Sequence, residues 1–199
     1  EQVEKLVKVY KNTKVDAQML KDADVDAVIL AIGSSPITIK LEGMDKLQHA
    51  SAPEVLRHEV CPKGKVAVIG GGLVGLETAD TLATDGCDVT VLEMKDEIGS
   101  DLGSLRKIAV MMKLQQMQVK MLPNSKVCKF TEEGIVLEDE TLVPCNCAVF
   151  AVGFASNDSH LLVEECEKRQ IPCRVIGDAK SARRALDAIA EGFEAARTL

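Results

Sequence analysis

Tryptophan is missing from these 199 residues, tyrosine occurs once, at Tyr10, and aromatic residues make up only 3% of the chain. A surface that stacks successive bases of single-stranded nucleic acid needs several aromatic faces, and they are not here. Positive charge is also scarce: 24 Lys plus Arg stand against 31 Asp plus Glu, a net charge of −7. Such a chain repels phosphate backbones and anionic lipid surfaces, so neither a nucleic-acid nor a membrane partner is expected. No apolar run approaches the ~18 residues that cross a bilayer, and residues 1–10 are charged rather than signal-like. A cytoplasmic protein is the expectation.

Seven cysteines without a spacing rhythm fit reduced thiols better than a disulfide framework. C-x-x-C is absent, which removes the usual redox dithiol of a disulfide reductase. Cys145 and Cys147 are the one close pair, and C-x-C within a strand would place both thiols on the same face. Zinc needs a second such pair or histidines at defined spacing, and His49, His58 and His160 do not supply them, so no metal site is expected. None of the three histidines sits in a recognisable acid–base setting, and no catalytic side chain is assigned.

What is present is a succession of short apolar runs. Residues 26–33 (DAVILAIG) form a continuous apolar stretch ended by glycine, which predicts a buried parallel strand covered on both faces. Residues 34–62 hold three of the six prolines and no sustained period, and are expected to be a connector with one short helix near Pro53 to His58. A strand is predicted at 65–69, a helix at 76–84 and a second strand at 88–93. A further helix at 101–116 carries Leu102, Leu105, Ile108, Ala109, Met112 and Leu114 at near-helical spacing, and a short strand follows at 119–122. Met111, Met112, Met117 and Met121 read as core filler. Segments 126–130, 134–137 and 141–143 suggest an antiparallel meander, with the acidic runs Glu132-Glu133 and Glu138-Asp139-Glu140 as solvated turns. Residues 147–153 (CAVFAVG) then echo the AVILAIG run. A short strand at 173–178 ends in an acid, and Leu186, Ile189, Ala190, Phe193 and Ala196 line one face of a C-terminal helix.

The segment with the most chemical content is GKVAVIGGGLVGLETADTLATDGCDVTVLE, residues 64–93. Gly70, Gly72 and Gly75 are spaced G-x-G-x-x-G, with Gly71, Leu73 and Val74 between them. One glycine makes the tight turn, one admits a pyrophosphate to the backbone, and one allows close helix–strand packing. The helix that follows aims its first amides at the phosphates. A strand before, a helix after and an acid at the end of the second strand complete the dinucleotide-binding fingerprint. Glu93 is that acid, placed to accept hydrogen bonds from an adenosine ribose, which favours NAD(H) over NADP; Lys95 close by makes the preference less than absolute. Glu77 is read as a carboxylate in the first helical turn, gaining from the helix dipole.

Taken together, VILAIG, GGGLVGLETA, FAVG and the closing VIGDAKSARRALDAIAEGFEAA resemble the C-terminal dinucleotide-binding region of flavin oxidoreductases related to 2,4-dienoyl-CoA reductase, 2-enoate reductase and trimethylamine dehydrogenase. That resemblance implies an α/β fold: a Rossmann-like three-layer dinucleotide-binding domain with an antiparallel meander, plus part of a second Rossmann-like domain for FAD. It implies a remnant of the FAD domain at 1–35, a connector at 36–62, the NAD(H) domain at 63–152 and the C-terminal part of the FAD domain at 153–199. Asp178 would bond the FAD ribitol with Gly177 beside it. Ala31, Ile32 and Gly33 would lie near FAD, and Ala151, Val152 and Gly153 near the nicotinamide.

No glycine precedes Gly33, so the G-x-G-x-x-G of an FAD domain is missing, and the chain reads as a fragment of a parent whose N-terminal barrel carries FMN and a 4Fe-4S cluster. In that parent NADH would pass a hydride to FAD, and electrons would move on to an enoate or other unsaturated substrate. The fragment's partners would be nucleotides and the rest of its own chain. Two other readings stay open: a nucleotide-binding module without turnover on its own, and a flavoprotein of the disulfide reductase type, for which Cys61 would be the single thiol.

Overall fold

A computed structural model of the chain describes residues 2–199. Along the chain the elements are α1 (Ala17–Asp22), β1 (Val28–Leu30), β2 (Ser34–Pro36), β3 (Gln48–Ser51), α2 (Ala52–Leu56), β4 (Lys65–Ile69), α3 (Leu73–Thr84), β5 (Asp88–Leu92) and α4 (Ser104–Gln116). They continue through β6 (Lys120–Leu122), β7 (Val127–Thr131), β8 (Gly134–Leu137), β9 (Leu142–Pro144), β10 (Cys147–Phe150), β11 (Phe154–Ser156), α5 (His160–Lys168), β12 (Cys173–Val175) and α6 (Ala185–Thr198). They divide into two compact units, one built from Pro36–Phe154 and one from Glu1–Ser35 with Ala155–Leu199. Among the described residues no helix is long and apolar enough to cross a membrane.

The unit Pro36–Phe154 has three layers. Its centre is a five-stranded parallel sheet in the order β3-β10-β4-β5-β6. Side chains alternate across it with period two. Val66, Val68, Val89, Val91 and Val149 point to Leu76, Ala79 and Leu82 of α3, Leu114 of α4, and Ala52 and Val55 of α2. Ala67, Ile69, Leu92, Ala148 and Phe150 point the other way, onto Phe130, Ile135, Leu137 and Val143 of the antiparallel meander β7-β8-β9. Burial on both faces is why these strands read as unbroken apolar runs.

Four expectations change here. Residues 36–62 are more than a connector, because β3 forms the sheet's edge beside β10, in register from Gln48 opposite Cys147 to Ser51 opposite Phe150. The helix α2 that follows is held by a capping box: the Ser51 amide and hydroxyl both donate to the Glu54 carboxylate, at 2.7 and 2.6 Å. Cys145 and Cys147 do not share a face: β9 stops at Pro144 and β10 starts at Cys147, so Cys145 lies in the meander-side core and Cys147 in the helix-side core. Glu77 falls in the second turn of α3, because the helix starts at Leu73, and it accepts from Arg106 of α4 at 2.8 Å instead of serving the helix end. In α4, Leu114 is buried and Val110, Met111 and Met117 pack on the core, but Leu105, Ile108 and Met112 face solvent, Leu105 at 87% exposure.

The other unit is thinner. Its sheet is the parallel pair β1-β12, with α1, α5 and α6 around it. Asp16 caps α1 by accepting from the Met19 amide at 2.8 Å, and Arg169 donates to the carbonyls of Leu20 and Ala23 at the end of that helix. Leu20, Leu30 and Cys166 are buried. The expectation of a strand covered on both faces fails at Ile29, which is 42% exposed, because a two-stranded sheet has too little around it to cover both sides. The stripe predicted on α6 is regular but outward: Leu186, Ile189 and Phe193 are exposed, while Ala195 on another face is buried. The echo between the two apolar runs holds in the backbone, where Gly33 follows β1 at φ +74° and Gly153 follows β10 at φ +101°.

Candidate functional site

The unit Pro36–Phe154 carries a cleft of about 590 Å³ at the carboxyl ends of β4, β5 and β10. That is where open parallel sheets bind ligands, beside the point at which the strand order reverses: β4 leads through α3 to β5 on one side and has β10 on the other. The volume lies in the ordinary range for small-ligand sites.

The floor of the cleft is the glycine turn. The Gly70 amide donates to Leu92 O and the Ala151 amide to Ile69 O, both at 2.8 Å, so the ends of β4, β5 and β10 are tied together beneath it. Gly70 takes φ +109°, and a Cβ there would stand 2.4 Å from Ala151 O. Gly75 sits inside α3, and a Cβ on it would stand 1.9 Å from Gly70 O. These two glycines are required by backbone approach, not by ligand. Gly72 is the N-cap of α3 and carries no side-chain cap of its own, which leaves the first helical amides for another partner.

Glu93 closes one end. Its own backbone is held twice, by Leu122 O accepting its amide at 3.0 Å and by the Ser125 amide donating to its carbonyl at 2.7 Å. Its carboxylate accepts from the Gly71 amide at 2.7 Å and from the Lys95 amide at 2.9 Å. Each oxygen retains further acceptor capacity, so a ribose diol can be bound without breaking either bond.

The structure brings Gly70, Gly72, Leu73, Val74, Glu93, Ala151, Val152 and Gly153 together on this one cleft. Gly71 contributes through its amide and Gly75 through its packing. Ala31, Gly33, Gly177 and Asp178 line a separate hollow of about 410 Å³ in the other unit, while Ile32 is surface-exposed. There Ser34 Oγ donates to Asp178 at 3.3 Å, and Glu191 accepts from the Gly177 amide at 2.7 Å. Arg183, the Gly177 amide and Lys180 hold the Glu191 carboxyl down to about 2. Cys61 lies on a third hollow with His49 and Cys147, whose lining shares no residue with the glycine turn.

Seven contributors, in three segments, were missed in the sequence. Ile37, Ile39 and Leu41 form an apolar wall, with the Ile37 amide donating to Gly153 O at 3.0 Å; their alternation over five residues was the available signal. Ser125, Lys126 and Val127 line the cleft beyond Glu93. Asp101, whose carboxylate oxygens accept from the Leu73 amide at 3.1 and 3.0 Å, had no sequence signal at all.

Comparison with known proteins identifies the family and the fold. The family described as pyridine nucleotide-disulphide oxidoreductase matches residues 2–179. A bilirubin reductase from Mediterraneibacter gnavus is 36% identical over 191 residues, covering 92% of this chain and 29% of that protein. A cinnamate reductase from Clostridium sporogenes is 34% identical over 201 residues, covering 97% of this chain and 29% of that one. A solved structure of 2-naphthoyl-CoA reductase with 2-naphthoyl-CoA superposes on the whole chain at TM-score 0.88 and 25% identity, over 31% of its own length. The chain thus spans about three-tenths of the length of the relatives it matches.

Proposed function

We propose, since this chain belongs to the pyridine nucleotide-disulphide oxidoreductase family, that its residues 36–154 bind NAD(H) and serve a larger flavin-dependent oxidoreductase. The observation that carries this reading is the cleft itself: fingerprint amides, a bare Gly72 and the Glu93 carboxylate all open onto one hollow at the carboxyl end of a parallel sheet. The pyrophosphate would lie on the amides that open α3, against Gly72, and the adenosine ribose on Glu93. Ala151, Val152 and Gly153, with Ile37 and Ile39 on the same cleft, would receive the nicotinamide at its apolar end. Bound there, the nicotinamide would supply a hydride for FAD; this chain's residues would hold and orient it, and none needs to exchange a proton.

In the same reading the hollow around Gly33, Gly177 and Asp178 belongs to the FAD half, and the whole protein reduces an enoate or another unsaturated acceptor. The cinnamate reductase and 2-naphthoyl-CoA reductase names support that substrate class. Calorimetric titration of the chain with NADH, NADPH and FAD in parallel tests the proposal. NADH binding with weaker NADPH binding is expected. Silence toward both nicotinamides would favour a nucleotide fold without a working site.

A further inference from the structure

The amide that opens α3 already has an anion on it. Both oxygens of Asp101 accept from Leu73 N–H, at 3.1 and 3.0 Å, and a Cβ on Gly72 would stand 3.2 Å from Asp101 Oδ2. The carboxylate therefore rests on the bare glycine and the helical amide that a pyrophosphate needs. It lines the cleft, is exposed, and lies within ion-pair distance of no lysine or arginine among the described residues. Its segment runs between Gly99, at φ +67° with its amide donating to Gly71 O at 2.7 Å, and Gly103, where a Cβ would meet nothing within 4 Å. The backbone on either side is thus held, Gly99 by the glycine turn and Gly103 as the N-cap of α4 with Leu102 packed on the core, while the Asp101 side chain itself is exposed and free to rotate.

We propose that Asp101 is a built-in competitor for the pyrophosphate of the dinucleotide: it caps α3 when the cleft is free of nucleotide and swings aside when the diphosphate arrives. This rests on the reading of the cleft as a dinucleotide site. One N–H cannot serve a carboxylate and a phosphate oxygen fully at once, and two anions a few ångströms apart repel each other even at an exposed site. Affinity is then set by an exchange of anions at the Leu73 amide. The exchange lowers affinity and speeds release of spent nucleotide, since the carboxylate is on hand to retake the amide. Glu93 differs, because its carboxylate can keep the Gly71 amide and take a ribose diol as well.

The competitor and a merely structural cap share one expected result and differ in another. Asp101→Asn and Asp101→Ala remove a negative charge from a helix N-terminus, so both roles predict a lower thermal midpoint for the ligand-free chain. Only the competitor predicts tighter binding: ADP-ribose and NADH affinity, by calorimetry on the 199-residue chain, should rise about threefold to tenfold. Adenosine, which carries no phosphate, should bind both variants as it binds wild type in an NMR titration, and the Leu73 amide resonance should move with ADP-ribose but not with adenosine. Unchanged or weaker ADP-ribose binding by folded variants would overturn the role of Asp101 while leaving the site intact. Silence of wild type and both variants toward ADP-ribose and NADH alike would remove the dinucleotide reading, and the competitor with it.

Discussion

Among the described residues two glycines lie inside α-helices, and adding one methyl group to each should move stability in opposite directions. At Gly75 the added Cβ would stand 1.9 Å from Gly70 O, 3.0 Å from Gly70 C and 3.4 Å from the Ala151 side chain. A carbon needs more than 3 Å from a backbone oxygen, so α3 and the glycine turn must part by about an ångström, against strands tied at Gly70 and Ala151. Overpacking of this kind costs about 3 kcal/mol at the upper end, and the better helix propensity of alanine returns about 1, leaving about 2 kcal/mol lost. For a chain of this size that lowers the thermal midpoint by about 4–8 °C. At Gly192, in α6, the nearest atom to an added Cβ is the tip of Ile176 at 3.9 Å. There the same change should stabilise by about 0.5–1 kcal/mol through propensity alone. Thermal melts of G75A and G192A followed by far-UV circular dichroism suit a chain without tryptophan. G75A should also lose NADH binding, because the turn it displaces is the floor of the cleft. A G75A midpoint at or above that of wild type would refute the packing account of the third glycine.

Glu93→Ala should weaken NADH by about tenfold or more and NADPH much less, since a charged hydrogen-bond acceptor to the ribose is lost only where the 2′-hydroxyl is free; equal losses in parallel titrations would remove Glu93 from that role. Burial lifts the thiols of Cys145 and Cys147 to about 11 each, so in native protein at neutral pH a thiol reagent should modify the exposed Cys61 and Cys128 quickly and leave these two untouched until unfolding. The same shifts set an alkaline limit: the folded-state values lie above the ordinary 9, so the stability they carry is complete below pH 9 and is lost as pH rises from there toward 11. Glu191 works at the acid end, since its folded value of about 2 lies below the ordinary 4.5. Its contribution is present above pH 4.5 and fades as pH falls toward 2, and Glu191→Gln should flatten that part of the midpoint-against-pH curve.

The βαβ core was legible because its signals are local and redundant. Each strand of 65–69, 88–92 and 147–150 is buried on both faces, so composition alone marks it, and the spacing of Gly70 and Gly75 reports a contact made within six residues. Helix faces were legible only as faces. Periodicity correctly groups Leu186, Ile189 and Phe193, or Leu105, Ile108 and Met112, on one side of a helix, but it carries no information about what lies opposite, and within this chain solvent lies opposite. The same limit explains Asp101. Its contact with Leu73 joins residues 28 apart through a loop whose course no period encodes, whereas Glu93 is found by spacing because a strand fixes its distance from the turn.

The glycine turn therefore encodes two things with one pattern. Bare glycines and free amides are read as preparation for a pyrophosphate, yet amides left without a partner would be costly, and two of those in the turn are met by carboxylates: Gly71 by Glu93 and Leu73 by Asp101. On the proposed reading the turn has to be stable before an anion comes, and the two acids that follow β5 supply partners to its amides until then. The two acids divide the task by geometry. Glu93 sits at a strand end whose backbone is held on both sides and keeps acceptor capacity to spare, while the Asp101 carboxylate is exposed and would have to give up the Leu73 amide for a phosphate to take it.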